Sequence, residues 1–410
     1  MDSSAILEHT FRHEYAKMIA ILAQRFGYHT LDLIEDAVQE ALYKASSVWS
    51  YQDKLPENPT QWLIKVANNH LLDQLKRAKK IEYDDVKVAK YEKGEVSKFL
   101  LEKTDIEDKQ LLMIFACCHP SLSKEKQLIL SLKLLCGFNN KELSLALLKS
   151  EEAIAKSFTR AKKTLKEIGI ESEVIVGLNS RLEGVLKVIY LIFTQGYKSF
   201  TGDKLVQKEM CIEALRLALL LDENEYCNHP KINGLISLMC FQASRIDVRV
   251  NQEGHLITLE EQDRTYWDQP LINMGNYYLD KLAGDNAVLT DYHIEAAIAF
   301  CHSNALTYKD TPWERILSLY DLLIIRSVTP FIKLNRVVAL AYVKGDSEAY
   351  KALEEIKALQ NSYMYYSIKA FLHKRKNEKH EAIASYDRAI ELVTNNVERA
   401  FLEKEKAKLT

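Results

Sequence analysis

The sequence predicts an all-α protein, and three observations carry that expectation. Glycine and proline are scarce, at 13 and 7 in 410 residues, so few breakers interrupt a chain that favours helices and short turns. Apolar residues recur at helical spacing through the N-terminal third. From Gly177 to Thr410 one helical pattern follows another, without the alternation of a half-buried strand. At 47% hydrophobic and 27% charged the chain reads as globular, and its length allows two or three domains of about 150 residues.

In the first 80 residues the elements follow from spacing. Ile6, Phe11, Tyr15, Ile19, Leu22 and Phe26 mark a helix over 5–26 that Gly27 stops. Thr30 is placed to cap a second helix from Leu31 to Trp49. Pro56 and Pro59 punctuate a loop, and Thr60 opens a third helix through Lys80 whose apolar stripe contains Trp62, Leu63, Val66, Leu71, Leu72 and Leu75. Residues 81–108 are rich in Lys, Glu and Asp and read as a solvated linker, with a short helix near Phe99–Leu101.

A second helical unit covers 109–170. Pro120 ends its first helix, and Gly137 separates a long apolar helix, Glu125–Cys136, from two shorter ones at Lys141–Leu147 and Glu151–Glu167. The polar turn Lys149-Ser150 between the last two makes a helix-turn-helix candidate. Farther on, the run from Gly345 to Leu353 recurs in character as Glu378 to Tyr386. The step from Ala349 to Ala382 is close to the roughly 34 residues of a tetratricopeptide repeat, and such repeats stack helix pairs around a concave surface.

Several functions are excluded or disfavoured at this level. The formal net charge is −2, with about +2 on 1–170 and about −4 on the remainder, so contact with a polyanion must come from local patches. The N-terminus carries no basic and apolar leader, and no stretch approaches the roughly 18 apolar residues of a membrane span. Seven scattered cysteines suit reduced, buried thiols of a cytoplasmic protein. Cys117-Cys118-His119 and Cys301-His302 lack the second ligand pair of a zinc site, so no metal or cofactor is expected. The sequence contains no P-loop, no H-E-x-x-H and no Gly-rich strand turn, so no enzymatic chemistry is expected either.

Residues 36–49, with Asp36-Ala37-Val38-Gln39-Glu40 followed by Ala45 and Trp49, resemble region 2.2 of the sigma-70 superfamily. The run from Trp62 to Arg77 is similar to regions 2.3 and 2.4, and the helix pair over 139–163 to region 4.2. Regions 2 and 4 joined by a short linker resemble the extracytoplasmic-function type. Five further landmarks resemble its subgroup with a long tetratricopeptide-like C-terminal extension. They are Ile114–Leu122, Tyr190–Tyr197, Glu261–Arg264 with Trp267-Asp268, Leu334–Arg336, and Glu398–Leu402. The resemblance divides the chain into region 2 at 1–80, a charged linker at 81–108, region 4 at 109–170 and the helical extension at 177–410.

What the residues would do follows from chemistry and resemblance together. Asp36, Gln39 and Glu40 share one helix face at i, i+3 and i+4. In the family that face docks on the clamp of the polymerase largest subunit, where acidic and amide acceptors take hydrogen bonds from Arg or Lys. Region 4 of the family meets the polymerase flap. Lys76, Arg77, Lys79 and Lys80 end the third helix as a basic patch suited to promoter phosphates. By resemblance, reading of the −10 element falls to Tyr51, Gln52, Asn58 and Asn69, while Trp62 lies on the apolar stripe and reads as core. Lys156, Arg160 and Lys163 form a stripe at i, i+4 and i+7 suited to the major groove at the −35 element. Relatives usually carry Thr and Arg where this chain has Ala153 and Ser157, so contact at Ser157 differs from the family pattern.

The resemblance therefore implies a transcription initiation factor that binds core RNA polymerase and promoter DNA. The C-terminal extension would control it in cis, through intramolecular contact with the sigma regions. Two other readings are a free-standing helix-turn-helix regulator, which leaves residues 31–77 without a task, and a tetratricopeptide adaptor for peptide segments.

Overall fold

The computed structural model describes residues 3–49, 56, 58–79, 103–147, 149–168, 178–198, 204–224, 227, 229–251, 255–281 and 289–409. Among them the regular structure is helical throughout, and a single isolated bridge, Val250 to Leu256, is the one β-type pairing. The chain forms two compact units, residues 1–192 with 223–227, and residues 193–222 with 228–410.

The first unit opens with α1 (Ser3–Phe26), α2 (Leu31–Trp49) and α3 (Pro59–Lys79). Then follow α4 (Lys103–Cys117), α5 (Lys124–Leu134), α6 (Asn140–Leu147), α7 (Glu151–Ile168) and α8 (Leu178–Lys198), which carries the boundary between units. Gly27 ends α1 in the left-handed region at φ 85°, a conformation open to glycine at little cost. Helix α1 is the hub, packing on α2, α3, α4 and α5. Its Met18, Ile19 and Leu22 are fully buried with Leu31 and Ile34 of α2, Leu63 and Leu71 of α3 and Phe115 of α4. Each such side chain contributes about 1.5–3 kcal/mol through removal from water.

Three expectations are corrected here. Thr30 does not cap α2; its hydroxyl donates backward to the Gly27 carbonyl at 2.8 Å, inside a short 3-10 turn. Helix α3 begins at Pro59 rather than Thr60, because Asn58 Oδ1 accepts the Gln61 N–H at 3.0 Å and proline suits the first helical position. The helix ahead of Pro120 starts at Lys103, inside the stretch expected as linker; the rest of that stretch, 81–102, lies outside the described residues.

The second unit takes α9 (Lys204–Asp222), α10 (Pro230–Ala243), α11 (Gln269–Asp280), α12 (Asp291–Ser303) and α13 (Trp313–Arg326). It closes with α14 (Pro330–Val343), α15 (Asp346–Glu354), α16 (Tyr363–Arg375), α17 (Lys379–Leu392) and α18 (Asn396–Ala407). Neighbours in sequence are neighbours in space here: α10 on α11, α13 on α14, α16 on α17. Ala349 of α15 and Ala382 of α17, the two aligned alanines, are both fully buried. At Gly275 of α11 the backbone approaches an aromatic ring closely. A Cβ there would stand 2.7 Å from Phe241 Cε1, on a ring held edge-to-face against Phe300 at 6.0 Å. Gly275→Ala is therefore expected to lower stability by about 1–3 kcal/mol despite alanine's better helix propensity. A thermal melt that rises on this substitution would contradict the packing.

Candidate functional site

Helix α2 carries acid on two sides. Leu31, Ile34, Val38, Ala41 and Ala45 face the core, while Asp36 and Gln39 are exposed and Glu40 half-exposed. Glu40 pairs with Lys44 in its own helix at 3.2 Å. Among the described residues nothing partners Asp36 or Gln39. The predicted triplet thus stands together on one open face, with acceptor oxygens available to a cationic partner.

Asp32 and Glu35, on the other flank, are already engaged. Lys162 of α7, its side chain only 12% exposed, bonds Asp32 Oδ1 at 2.6 Å and also Glu35 Oε2. Lys166 reaches Asp32 Oδ2 at 2.5 Å. The Tyr15 hydroxyl donates to Glu35 Oε1 at 3.3 Å, and the Lys162 ammonium sits 4.6 Å from the Phe158 ring centroid. These contacts hold α7 against α2. The hydrogen bonds from Lys162 and then Lys166 pull the Asp32 carboxyl below its ordinary range. Burial alone would lower Lys162, but its bonds to Asp32 and Glu35 outweigh that and hold it above the usual lysine value.

The residues assigned to the −10 element are dispersed. Asn69, Lys76 and Arg77 are exposed on α3. The Asn58 side chain caps α3, so its oxygen is already committed. Tyr51, Gln52 and Lys80 lie outside the described residues, as does the side chain of Lys79. Trp62 is half-buried with its ring centroid 5.5 Å from that of Trp49, a packing contact between α2 and α3.

On α7 the predicted stripe is exposed. Lys156 pairs with Glu152 at 2.6 Å and Lys163 approaches Glu167 at 3.9 Å, both one turn away. Arg160 is the stripe's cation without an ion-pair partner among the described residues, and Ser157 beside it is half-buried. The opposite face of α7, with Ile154, Phe158, Ala161 and Leu165, enters the core.

Cys117 and Cys118 are buried, and burial pushes the Cys118 thiol up to about 12. His119 closes a turn by accepting the Ser121 N–H at 3.2 Å, and burial, then Arg181, lowers its pKa. Several landmarks of the C-terminal half do structural work. Asp268 caps α11 through the Leu271 N–H at 3.0 Å. Arg264 donates to the carbonyls of Ala305, at 2.6 Å, and His302. Arg336 pairs with Asp321 at 2.5 Å, and Arg399 donates to the Val393 carbonyl at 2.7 Å.

Two family models match parts of the chain. A model described as sigma-70 region 2 matches residues 11–81, spanning α1 to α3. A second, described as a family of unknown function (DUF6596), matches residues 181–283. The chain is 32% identical over 381 residues to "Uncharacterized protein R00370" of Rhizobium meliloti (strain 1021), covering 92% of this chain and 89% of the relative. No solved structure matches significantly. No helix among the described residues is long and apolar enough to cross a membrane. Region 2 is the part through which sigma factors bind core RNA polymerase and promoter DNA. The chain therefore belongs to the family of the Rhizobium meliloti protein, and its first three helices are region 2 of a sigma-70 family sigma factor.

Proposed function

We propose that this protein is a promoter-directing sigma factor of the extracytoplasmic-function type, with residues 109–170, from within α4 to α7, as region 4 and the helical extension at 177–410 as a tetratricopeptide-like regulator acting in cis. It has no chemistry of its own. The observation that carries the reading is the open triplet Asp36, Gln39 and Glu40 on the second helix of a matched region 2. This face meets the polymerase clamp; the end of α3, with Lys76 and Arg77, meets promoter phosphates near the −10 element. Helix α7 presents Arg160 to the −35 element, with Lys156 and Lys163 flanking it.

The test is co-purification of the full chain with bacterial core polymerase, followed by transcription from promoters mapped with the reconstituted complex. Co-elution and promoter-specific transcripts are expected; no co-elution at low salt rejects the proposal. Arg160→Glu separates the DNA role from the polymerase role. It replaces an attraction to phosphate with a repulsion, and is expected to weaken promoter binding by about tenfold, a loss of about 1.4 kcal/mol. Polymerase binding should stay unchanged. A promoter complex indifferent to this substitution and to its salt dependence would remove α7 from the DNA interface.

A further inference from the structure

The second unit contains a cavity of about 1000 Å³ whose lining comes from the 258–261 turn and from helices α13, α14, α16, α17 and α18, together with residues 308–309. Most of this lining lies beyond the residues matched by either family. Six aromatic side chains face it: Tyr308, Trp313, Tyr342, Phe371, Tyr386 and Phe401. Trp313 and Tyr342 stack at 4.2 Å with planes 6° apart, and Tyr308 stands edge-on to both. The hydroxyls of Tyr308 and Tyr342 are 3.0 Å apart. One of the two protons serves that bond, and the other remains to donate.

The charges around this aromatic wall are unevenly spent. Lys374 and Lys408 both bond Glu405, Lys374 at 2.9 Å, and Lys408 also reaches Glu261 at 3.1 Å. That last pair joins the C-terminal cap of α18 to the 258–261 turn. Arg375 lies over the Tyr342 ring at 4.5 Å with its Nε on Asp346 at 2.5 Å. Lys309 is exposed and has no partner among the described residues. Of the four cations in the lining, Lys374 and Lys408 are spent on Glu405 and Glu261 and Arg375 on Asp346, which leaves Lys309; of its three carboxylates, Glu260 has no ion-pair partner among the described residues.

Cavities of roughly 300–1,000 Å³ with an apolar, aromatic lining and a few polar groups are the usual form of a small-ligand site. Stacked rings favour a flat apolar body, and the unspent Lys309 favours an anionic group on it. We infer that this cavity binds an aromatic group carrying a carboxylate, with the ring among Tyr308, Trp313 and Tyr342 and the carboxylate towards Lys309. Two sources supply that chemistry: a free aryl carboxylic acid, or a peptide ending in an aromatic residue. The inference is independent of the polymerase reading, and its test involves no polymerase.

The probe is 8-anilinonaphthalene-1-sulfonate, an aromatic anion, titrated into the full chain by fluorescence. Saturable binding is expected. Lys309→Glu, at an exposed position, replaces an attraction with a repulsion and should weaken it by about fivefold, the upper end of what one surface ion pair contributes. Phe331→Ser removes an exposed apolar side chain on α14 that is absent from the lining, and should change nothing. Indole-3-acetate and a hexapeptide ending in tryptophan, with a free or amidated C-terminus, then compete for the site. Displacement by the free acid assigns a small molecule; displacement by the free-acid peptide alone assigns a peptide end. The inference is overturned by unsaturable binding, by a Lys309→Glu variant within twofold of the native chain, by sensitivity to Phe331→Ser instead, or by failure of every competitor.

Discussion

Core polymerase is expected to bind the triple variant Asp36→Ala, Gln39→Ala, Glu40→Ala about 100-fold more weakly than the native chain. Hydrogen bonds that involve a charged group contribute about 1.5–3 kcal/mol each. Losing the better part of two of them amounts to roughly 3 kcal/mol, or two decades of affinity. The fold should not respond. Among the described residues Asp36 and Gln39 have no partners to lose, and Glu40 gives up a helix-surface pair with Lys44, so stability should stay within about 0.5 kcal/mol. Titration of labelled protein with core polymerase, beside circular dichroism melts, separates the two effects. An affinity within threefold of native would take the polymerase face off α2.

Lys162→Ala acts on stability instead. Glu35 and Lys162 are each 12% exposed at the side chain. Removal of the ammonium leaves a buried carboxylate whose remaining hydrogen-bond partner among the described residues is the Tyr15 hydroxyl, with the charge of Lys133 nearby. Breaking a buried pair from one side costs about 3 kcal/mol, at the lower end of the range because Tyr15 remains. For a unit of this size that is a fall of about 6–12 °C in melting temperature. Faster hydrogen exchange in α7 and α2, with α3 unaffected, would locate the loss at this junction. Replacing both partners, as Lys162→Met with Glu35→Leu, should recover most of it, because an apolar pair leaves no orphaned charge. A single variant that melts like the native chain would show that the pair contributes nothing.

The same junction sets a pH window. Asp32 titrates below its ordinary 3.8 in the folded chain, so its contribution is present above that value and disappears as pH falls through the lowered one. Lys162 titrates above its ordinary 10.5, so its contribution is present below that value and disappears as pH rises through the raised one. The tie between α2 and α7 is therefore intact across neutral pH and weakens in strong acid and strong base.

The elements of the first unit were legible because local signals sufficed. Apolar spacing located α1, α2, α3, α6 and α7 to within a residue or two, and Gly27 and Pro120 marked stops. Capping was misread where two polar residues competed: Asn58 rather than Thr60 holds the start of α3, since proline at 59 fixes the first helical position. The surface stripe Lys156, Arg160 and Lys163 was visible by period alone. Lys162 and Lys166 were missed because their partners lie 127 to 134 residues away, and no local pattern reports such a pairing. A signal did exist. Lys162 falls on the apolar side of α7 near Phe158 and Leu165, and Glu35 on the apolar side of α2 beside Leu31 and Ile34; a cation and an anion on buried faces need each other. In the second unit the pairs Asp268 with Pro270 and Thr329 with Pro330 mark helix starts that the sequence reading left unphased.

The ties of α7 to α2 also bear on the order in which the chain matures during synthesis. Loops that long close slowly, and the closing residues do not exist as protein until Lys162 and Lys166 have been translated. Through that interval Glu35, a charge built for an enclosed site, waits in water on a helix that already has its own partners in α1 and α3. The second unit has no such wait over most of its length, since each helix meets the one just made. A long-range tie comes at its end, when Lys408 finds Glu261. A ribosome-bound chain would thus mature in two styles, by late locking at the front and by steady accretion behind.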